Sequence, residues 1–131
     1  MRQDILLDTC SLLWLSDDSP QLSATARKLI ESADTKIFAS SVSALEIGIK
    51  ARRKRLQLPS KISLWYPMLL EQYDIIDLPP TWDICARAAL LPSINSDPFD
   101  RLIIASAQIS GLTIVTADTI FSKYPSTTVT F

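Results

Sequence analysis

Histidine is absent from the 131 residues, and that excludes several chemistries at once. Ser-His-Asp and Cys-His triads, HExxH metalloproteases and Cys2His2 zinc fingers all need the imidazole. So does acid–base catalysis by the one side chain that ordinarily titrates near neutrality. Hydrolysis by this chain must lean on carboxylates, most naturally with a hard divalent cation such as Mg2+ or Mn2+. A run of roughly 18 apolar residues, the length a transmembrane helix needs, is also lacking, so no membrane association is expected. The opening Met1-Arg2-Gln3-Asp4-Ile5-Leu6-Leu7-Asp8 carries too short an apolar run, with acids on both sides, for a signal peptide. A cytoplasmic location is the default expectation. Cys10 and Cys85 are the only cysteines; without a secretion signal they read as reduced, buried small hydrophobes. The net charge is −1 and the pI about 5.3. A general nucleic-acid coat protein would be basic, so any nucleic acid would have to be met through a local patch.

What is present fits one α/β domain over residues 1–131, since 47% hydrophobic residues in a chain of this length suffice for a core. Ile5-Leu6-Leu7 reads as a buried strand ending at Asp8, and Thr9 to Leu15 as a first helix. Ser23 can cap a helix through about Ser32. Lys36 to Ala39 is a second strand, followed by a helix capped by Ser41 or Ser43 and running to about Arg53. Lys61 to Tyr73 is helical, with Pro67 as a potential break. Ile75 to Leu78 is a third strand, Thr81 to Leu91 a helix, and Asp97-Pro98 opens a helix that stops at Gly111 after Ser110. Thr113 to Thr116 is a fourth strand and Thr127 to Phe131 a short last one. Apolar strands alternating with helices predict a central, mainly parallel sheet of four to five strands flanked by helices. Ligands in such folds bind beyond the carboxyl ends of the strands.

Acids stand at those ends. Asp8 directly follows the first strand, where it serves equally as an N-cap. Glu46 sits in the largely apolar Ser41–Ile49 segment, within a stripe of Val42, Leu45 and Ile49. A lone carboxylate on a buried face is costly unless it is paired or bound to metal, and Lys50, one turn on, is the alternative partner. Asp97 and Asp100 resemble a capping arrangement around Pro98, yet Asp100 also points along the edge of an apolar helix toward the strand ends. Asp118 follows the fourth strand as a turn residue or a ligand, and Thr116 is placed to hydrogen-bond the carboxylate. None of these acids is specific alone. Their order and their placement at strand ends and helix starts make the set.

Four segments, Leu6-Leu7-Asp8-Thr9, Ser43-Ala44-Leu45-Glu46-Ile47, Ser96-Asp97-Pro98-Phe99-Asp100-Arg101-Leu102-Ile103-Ile104-Ala105 and Ile114-Val115-Thr116-Ala117-Asp118, resemble the PIN-domain family. Within it they are similar to the VapC-type toxin ribonucleases. The likeness spans essentially the whole chain, and the Asp-Pro-Phe-Asp-Arg run is its most specific piece. It implies a PIN-like fold and a Mg2+- or Mn2+-dependent endoribonuclease with Asp8, Glu46, Asp100 and Asp118 as catalytic and metal-binding acids. Asp97 becomes an auxiliary carboxylate. It also implies an RNA substrate, a cognate antitoxin and a homodimer. The close subgroup carries His after the Asp8-Thr9 pair and before the Asp-Pro-Phe-Asp run; here those places hold Cys10 and Ile94-Asn95. A catalytically weak or inactive PIN-like module that only binds RNA or protein is the competing expectation. An aspartyl phosphatase would want a second Asp two residues after the first, which Asp8-Thr9-Cys10 lacks.

The cationic run Lys50-Ala51-Arg52-Arg53-Lys54-Arg55 admits three readings: a solvated helix end suited to the dipole, an edge gripping RNA phosphates, or a dock for an acidic antitoxin segment. Trp14, Trp65, Tyr66 and Trp82 read as core or interface aromatics. A mean hydropathy of +0.19 agrees with apolar surface reserved for a partner.

Overall fold

Strands that are apolar on every residue need cover on both faces, and the helices supply it. A computed structural model describes residues 3–125, 127 and 129–131. It contains five strands, β1 Ile5–Leu7, β2 Ile37–Ser40, β3 Ile75–Leu78, β4 Thr113–Val115 and β5 Val129–Thr130, in one sheet of order β3-β2-β1-β4-β5. All four pairings are parallel. Around them lie α1 Thr9–Ser16, α2 Ala24–Glu31, α3 Ser41–Arg52, α4 Ile62–Tyr73, α5 Trp82–Leu90 and α6 Pro98–Ser110, and a 3-10 helix Thr119–Lys123.

Central β1 shows the logic of the layers. Its three side chains are fully buried, each contributing about 1.5–3 kcal/mol by burial. Alternation sends them to opposite faces. Ile5 and Leu7 join Leu12, Ile47, Trp65 and Leu69 in one core, whereas Leu6 joins Ile103, Ile104, Ile114, Phe121 and Tyr124 in the other. The chain places β2 and β3 on one side of β1 and β4 and β5 on the other. The strand order therefore reverses between β1 and β4, which is where open α/β sheets leave a crevice.

Several local expectations are corrected. Ser40, rather than Ser41 or Ser43, caps α3 by accepting from the Val42 amide at 3.2 Å. Pro67 does not break α4. Trp65, Tyr66 and Leu69 hold that helix against the sheet, and this packing outweighs the roughly 3 kcal/mol that an internal proline costs. Leu45 is not part of a buried stripe: it is 58% exposed, and the buried residues of α3 are Val42, Ser43 and Ile47. Cys10 and Cys85 are exposed rather than buried. Of the aromatics expected in the core or at an interface, Trp65 and Tyr66 are in the core, whereas Trp82 is 83% exposed and so is not a core residue. Gly111 ends α6 in the left-handed conformation that favours glycine, with φ at 67°. The last strand is shorter than the predicted 127–131; Thr128 lies outside the described residues, as do Met1 and Arg2. Among the described residues no helix is long and apolar enough to cross a membrane.

Candidate active site

Asp8, Glu46, Asp100 and Asp118 come from four separate segments and line one cleft of about 380 Å³, together with Asp97, Lys50, Thr9, Cys10 and Trp14. The cleft lies at the carboxyl ends of β1 and β4, on the crevice between them. Its floor is Asp8, which is 6% exposed. As N-cap of α1, its Oδ1 accepts from the Ser11 amide at 2.8 Å. Its Oδ2 accepts from the Thr116 hydroxyl at 2.6 Å. Thr116 thus serves Asp8, while its Oγ1 accepts from the Asp118 amide at 3.0 Å. One threonine ties the two strand-end acids together. Asp118 is exposed and caps the 3-10 helix through the Ile120 amide at 3.0 Å. Both acids are helix caps, and both also line the cleft.

Glu46 reaches the cleft from α3, which a 2.9 Å hydrogen bond between the Thr9 and Ser43 hydroxyls ties to α1. Its Oε2 is 3.0 Å from Lys50 Nζ, so the expected i,i+4 ion pair exists. The pair leaves Oε1 buried with no hydrogen-bond partner. Asp100, in the first turn of α6, is reached at Oδ2 by the Asn95 side-chain amide at 3.2 Å. Asn95 is anchored in turn to the buried Tyr124: its backbone amide donates to the Tyr124 Oη at 3.1 Å, and the Tyr124 hydroxyl donates to Asn95 Oδ1. Asp97 caps α6 through the Phe99 amide at 2.9 Å.

Sequence reasoning missed the Asn95–Tyr124 link, whose partners are 29 positions apart, and it missed what Arg101 does. That guanidinium donates to four backbone carbonyls: Ala88 at 3.1 Å, Leu91 at 2.8 Å, Pro92 at 2.8 Å and Asn95 at 3.2 Å. It locks the segment that carries Asn95. The signal was available, in that a charged residue one position after Asp100 needs a partner. The partners, being main-chain oxygens, carry no residue identity.

Five carboxylates against one ammonium make the cleft strongly acidic. Burial pushes the Asp100 carboxyl up to about 7, reinforced by the charges of Asp97, Glu46, Asp118 and Asp8. Burial also raises Asp8, against the lowering effect of the Ser11 and Thr116 hydrogen bonds, and Asp118 adds to the rise. Among the described residues no three His, Cys, Asp or Glu side chains are already drawn together as a metal cage. The donor set nonetheless suits a hard divalent cation. It is all oxygen, its members repel one another, and the orphaned Glu46 Oε1 lacks the partner that a cation would provide.

A stability test follows from the sign of the Asp100 shift. Its folded value lies above the ordinary carboxylate range of about 3.9. The metal-free fold therefore holds a proton that the unfolded chain releases. That contribution is complete at pH about 4 and is lost as pH rises through about 7. Urea denaturation in chelator should show Asp100→Asn matching the wild type near pH 4 and exceeding it in stability at pH 8. A difference that does not change with pH would remove the assigned cause.

The basic residues past α3 stand apart from the acids. Arg52, Lys54, Arg55 and Lys61 border a larger groove of about 930 Å³ with Leu56 and Leu58, and Arg52 to Arg55 are exposed. The larger groove is not where the chemistry is concentrated; the acidic cleft is.

A PIN domain profile matches residues 5–126. The chain is 34% identical over 115 residues to Ribonuclease VapC22 of Mycobacterium tuberculosis (strain ATCC 25618 / H37Rv), covering 87% of this chain and 86% of that protein. Among solved structures, VapBC2 from Rickettsia felis bound to a DNA fragment from their promoter shares the fold with a TM-score of 0.73. The identity is 15%, with 98% of each chain covered. A toxin-antitoxin complex from Klebsiella pneumoniae has a TM-score of 0.66 at 22% identity, covering 97% of this chain and 96% of that one.

Proposed function

The chain belongs to the PIN-domain family, and from that premise we propose that it is an endoribonuclease, the toxin of a toxin–antitoxin pair, that hydrolyses RNA phosphodiester bonds with the help of a divalent metal. The observation that carries this reading is the convergence of Asp8, Glu46, Asp100 and Asp118 on one cleft with a buried carboxylate oxygen left without a partner. The similarity to a named ribonuclease over most of both chains supports the substrate class.

Asp8, Asp118, Glu46 and Asp100 would hold Mg2+ or Mn2+, which supplies Lewis acidity toward water and charge neutralisation toward the phosphate. The protein's own part is pre-organisation. Ser11 and Thr116 fix both oxygens of Asp8, and Thr116 fixes the Asp118 backbone beside it. Asn95, held by Tyr124 and Arg101, orients Asp100. Hydrogen bonds of this kind, one layer behind the ligands, typically carry 10–100-fold in metal affinity or rate. The exposed cations from Arg52 to Arg55 offer phosphates a positive surface. Exposed apolar side chains such as Leu64, Met68, Trp82 and Leu90 suit an antitoxin and a second copy of the chain.

The test is to incubate the purified protein, free of antitoxin, with total cellular RNA in Mg2+, in Mn2+ and in EDTA. Discrete fragments with either ion, and none in EDTA, are the expected result. Intact RNA in every ion would favour the module that binds without cutting.

A further inference from the structure

Among the described residues, Lys50 is the one basic side chain lining a cleft that five carboxylates share. It stands one helical turn after Glu46 on α3, with Nζ 3.0 Å from Oε2. The two side chains differ in depth: Glu46 is 12% exposed and Lys50 42%. The ammonium therefore sits at the mouth, on a four-carbon stem with freedom to turn, and the carboxylate lies beneath it. Glu46 is only half satisfied, because Oε1 is buried and unpartnered.

Two consequences follow. A divalent ion taken up by Glu46 would satisfy Oε1 and place two positive charges beside the ammonium, which weakens the hold of Oε2 on Lys50. The cleft must also admit a polyanion. With one divalent ion bound, its carboxylates still outnumber the positive charges, so a cation freed at the mouth is the group that can meet a phosphate oxygen.

We propose that Lys50 has two positions in one cycle: it neutralises Glu46 while the cleft holds no metal, and it moves to a non-bridging phosphate oxygen of RNA once a divalent ion has taken Glu46. This rests on the nuclease reading above. It makes Lys50 a competitor of the metal and a contact of the substrate. A purely structural ion pair would be neither.

The experiment uses the whole chain and two variants, Lys50→Met and Lys50→Arg. Both residues suit a helix, and folding is checked by circular dichroism. Mn2+ alone is titrated by electron paramagnetic resonance. Steady-state RNA cleavage is then measured at saturating Mn2+. Lys50→Met should bind Mn2+ about fivefold more tightly, the size of a partly exposed ion pair that no longer competes. Its KM for RNA should rise about tenfold with kcat little changed, as expected for a lost charge-assisted contact. Lys50→Arg should keep KM near the wild-type value and bind Mn2+ no more tightly than the wild type.

Mn2+ affinity in Lys50→Met that equals or falls below the wild-type value overturns the proposal. So does tighter Mn2+ binding with KM unmoved, which would remove the phosphate contact. Absence of cleavage by the wild type is a separate failure, of the nuclease reading itself, and the Mn2+ titration still reports whether Lys50 and the ion compete for Glu46.

Discussion

Asp8→Asn should lower RNA cleavage at least about a thousandfold, the several kcal/mol that a metal ion typically contributes to such a reaction, while leaving the metal-free protein as stable as before or more so. The two halves of this expectation come from the same geometry. Asn is as good an N-cap as Asp, so Oδ1 can go on accepting from the Ser11 amide. The new amide nitrogen replaces Oδ2, and the Thr116 hydroxyl can turn to accept from it. The substitution removes a buried negative charge whose burial already pushes the carboxyl above its usual range, so the fold loses a cost. The site loses the one acid that is anchored through both oxygens at the end of the central strand. Cleavage rates and melting temperatures in chelator, measured on the same preparations, separate the two effects. Cleavage by Asp8→Asn within about tenfold of the wild type would sink the assignment of this cleft as the active site.

The largest effect on stability belongs to Arg101→Ala. One guanidinium satisfies four carbonyls between Ala88 and Asn95, and α5 has no glycine to close its end, Leu91 being its extended C-cap. Hydrogen bonds from a charged donor contribute about 1.5–3 kcal/mol each when isolated. These share one partly buried side chain and are not additive, so a total loss of about 3 kcal/mol is expected. In a domain of this size that corresponds to a fall of roughly 10 °C in Tm. Arg101→Lys should recover little, since a single ammonium cannot span four acceptors fixed in the plane of a fork. Urea unfolding midpoints would show this directly. Unchanged midpoints would mean that the segment from residue 91 to 97 is held by something other than Arg101. At saturating metal a loss of cleavage should accompany the loss of stability, because the same segment carries Asn95 to Asp100.

The parts of this structure legible in the chain are those where residue type and period coincide. Ile5-Leu6-Leu7 and Ile114-Val115 could hardly be anything but buried strands. Asp97-Pro98 and Ser110-Gly111 mark both ends of α6 by backbone chemistry alone. Asp8, Asp100 and Asp118 were legible through their positions at strand ends and a helix start, Glu46 through its place in a largely apolar helical stretch, and all four through the resemblance they carry. The failures are equally physical. The segment 40–49 is apolar or small almost everywhere, so it names no face, and Leu45 was placed inside when it lies outside. Three closely spaced serines, Ser40, Ser41 and Ser43, compete as caps on equal terms until the end of β2 fixes the geometry. Cys10 and Cys85 take their exposure from position, and cysteine tolerates either. Arg101 and Asn95 act through main-chain oxygens and through a tyrosine distant in sequence, which no local pattern encodes.

The strand order has a consequence for the cell that makes this chain. β1 is complete after seven residues, but its outer neighbour β4 begins only at Thr113, and Asp118 follows later still. Asp8 acquires the Thr116 hydroxyl and the company of Asp118 only when more than a hundred intervening residues have been synthesised and folded back. Such long-range closure is the slow, late kind of contact. In a nascent chain Asp8 and Glu46 are therefore made long before the acidic cleft can close, and on the reading proposed above the chain stays unable to cut RNA until Asp118 has been made and has folded back beside β1.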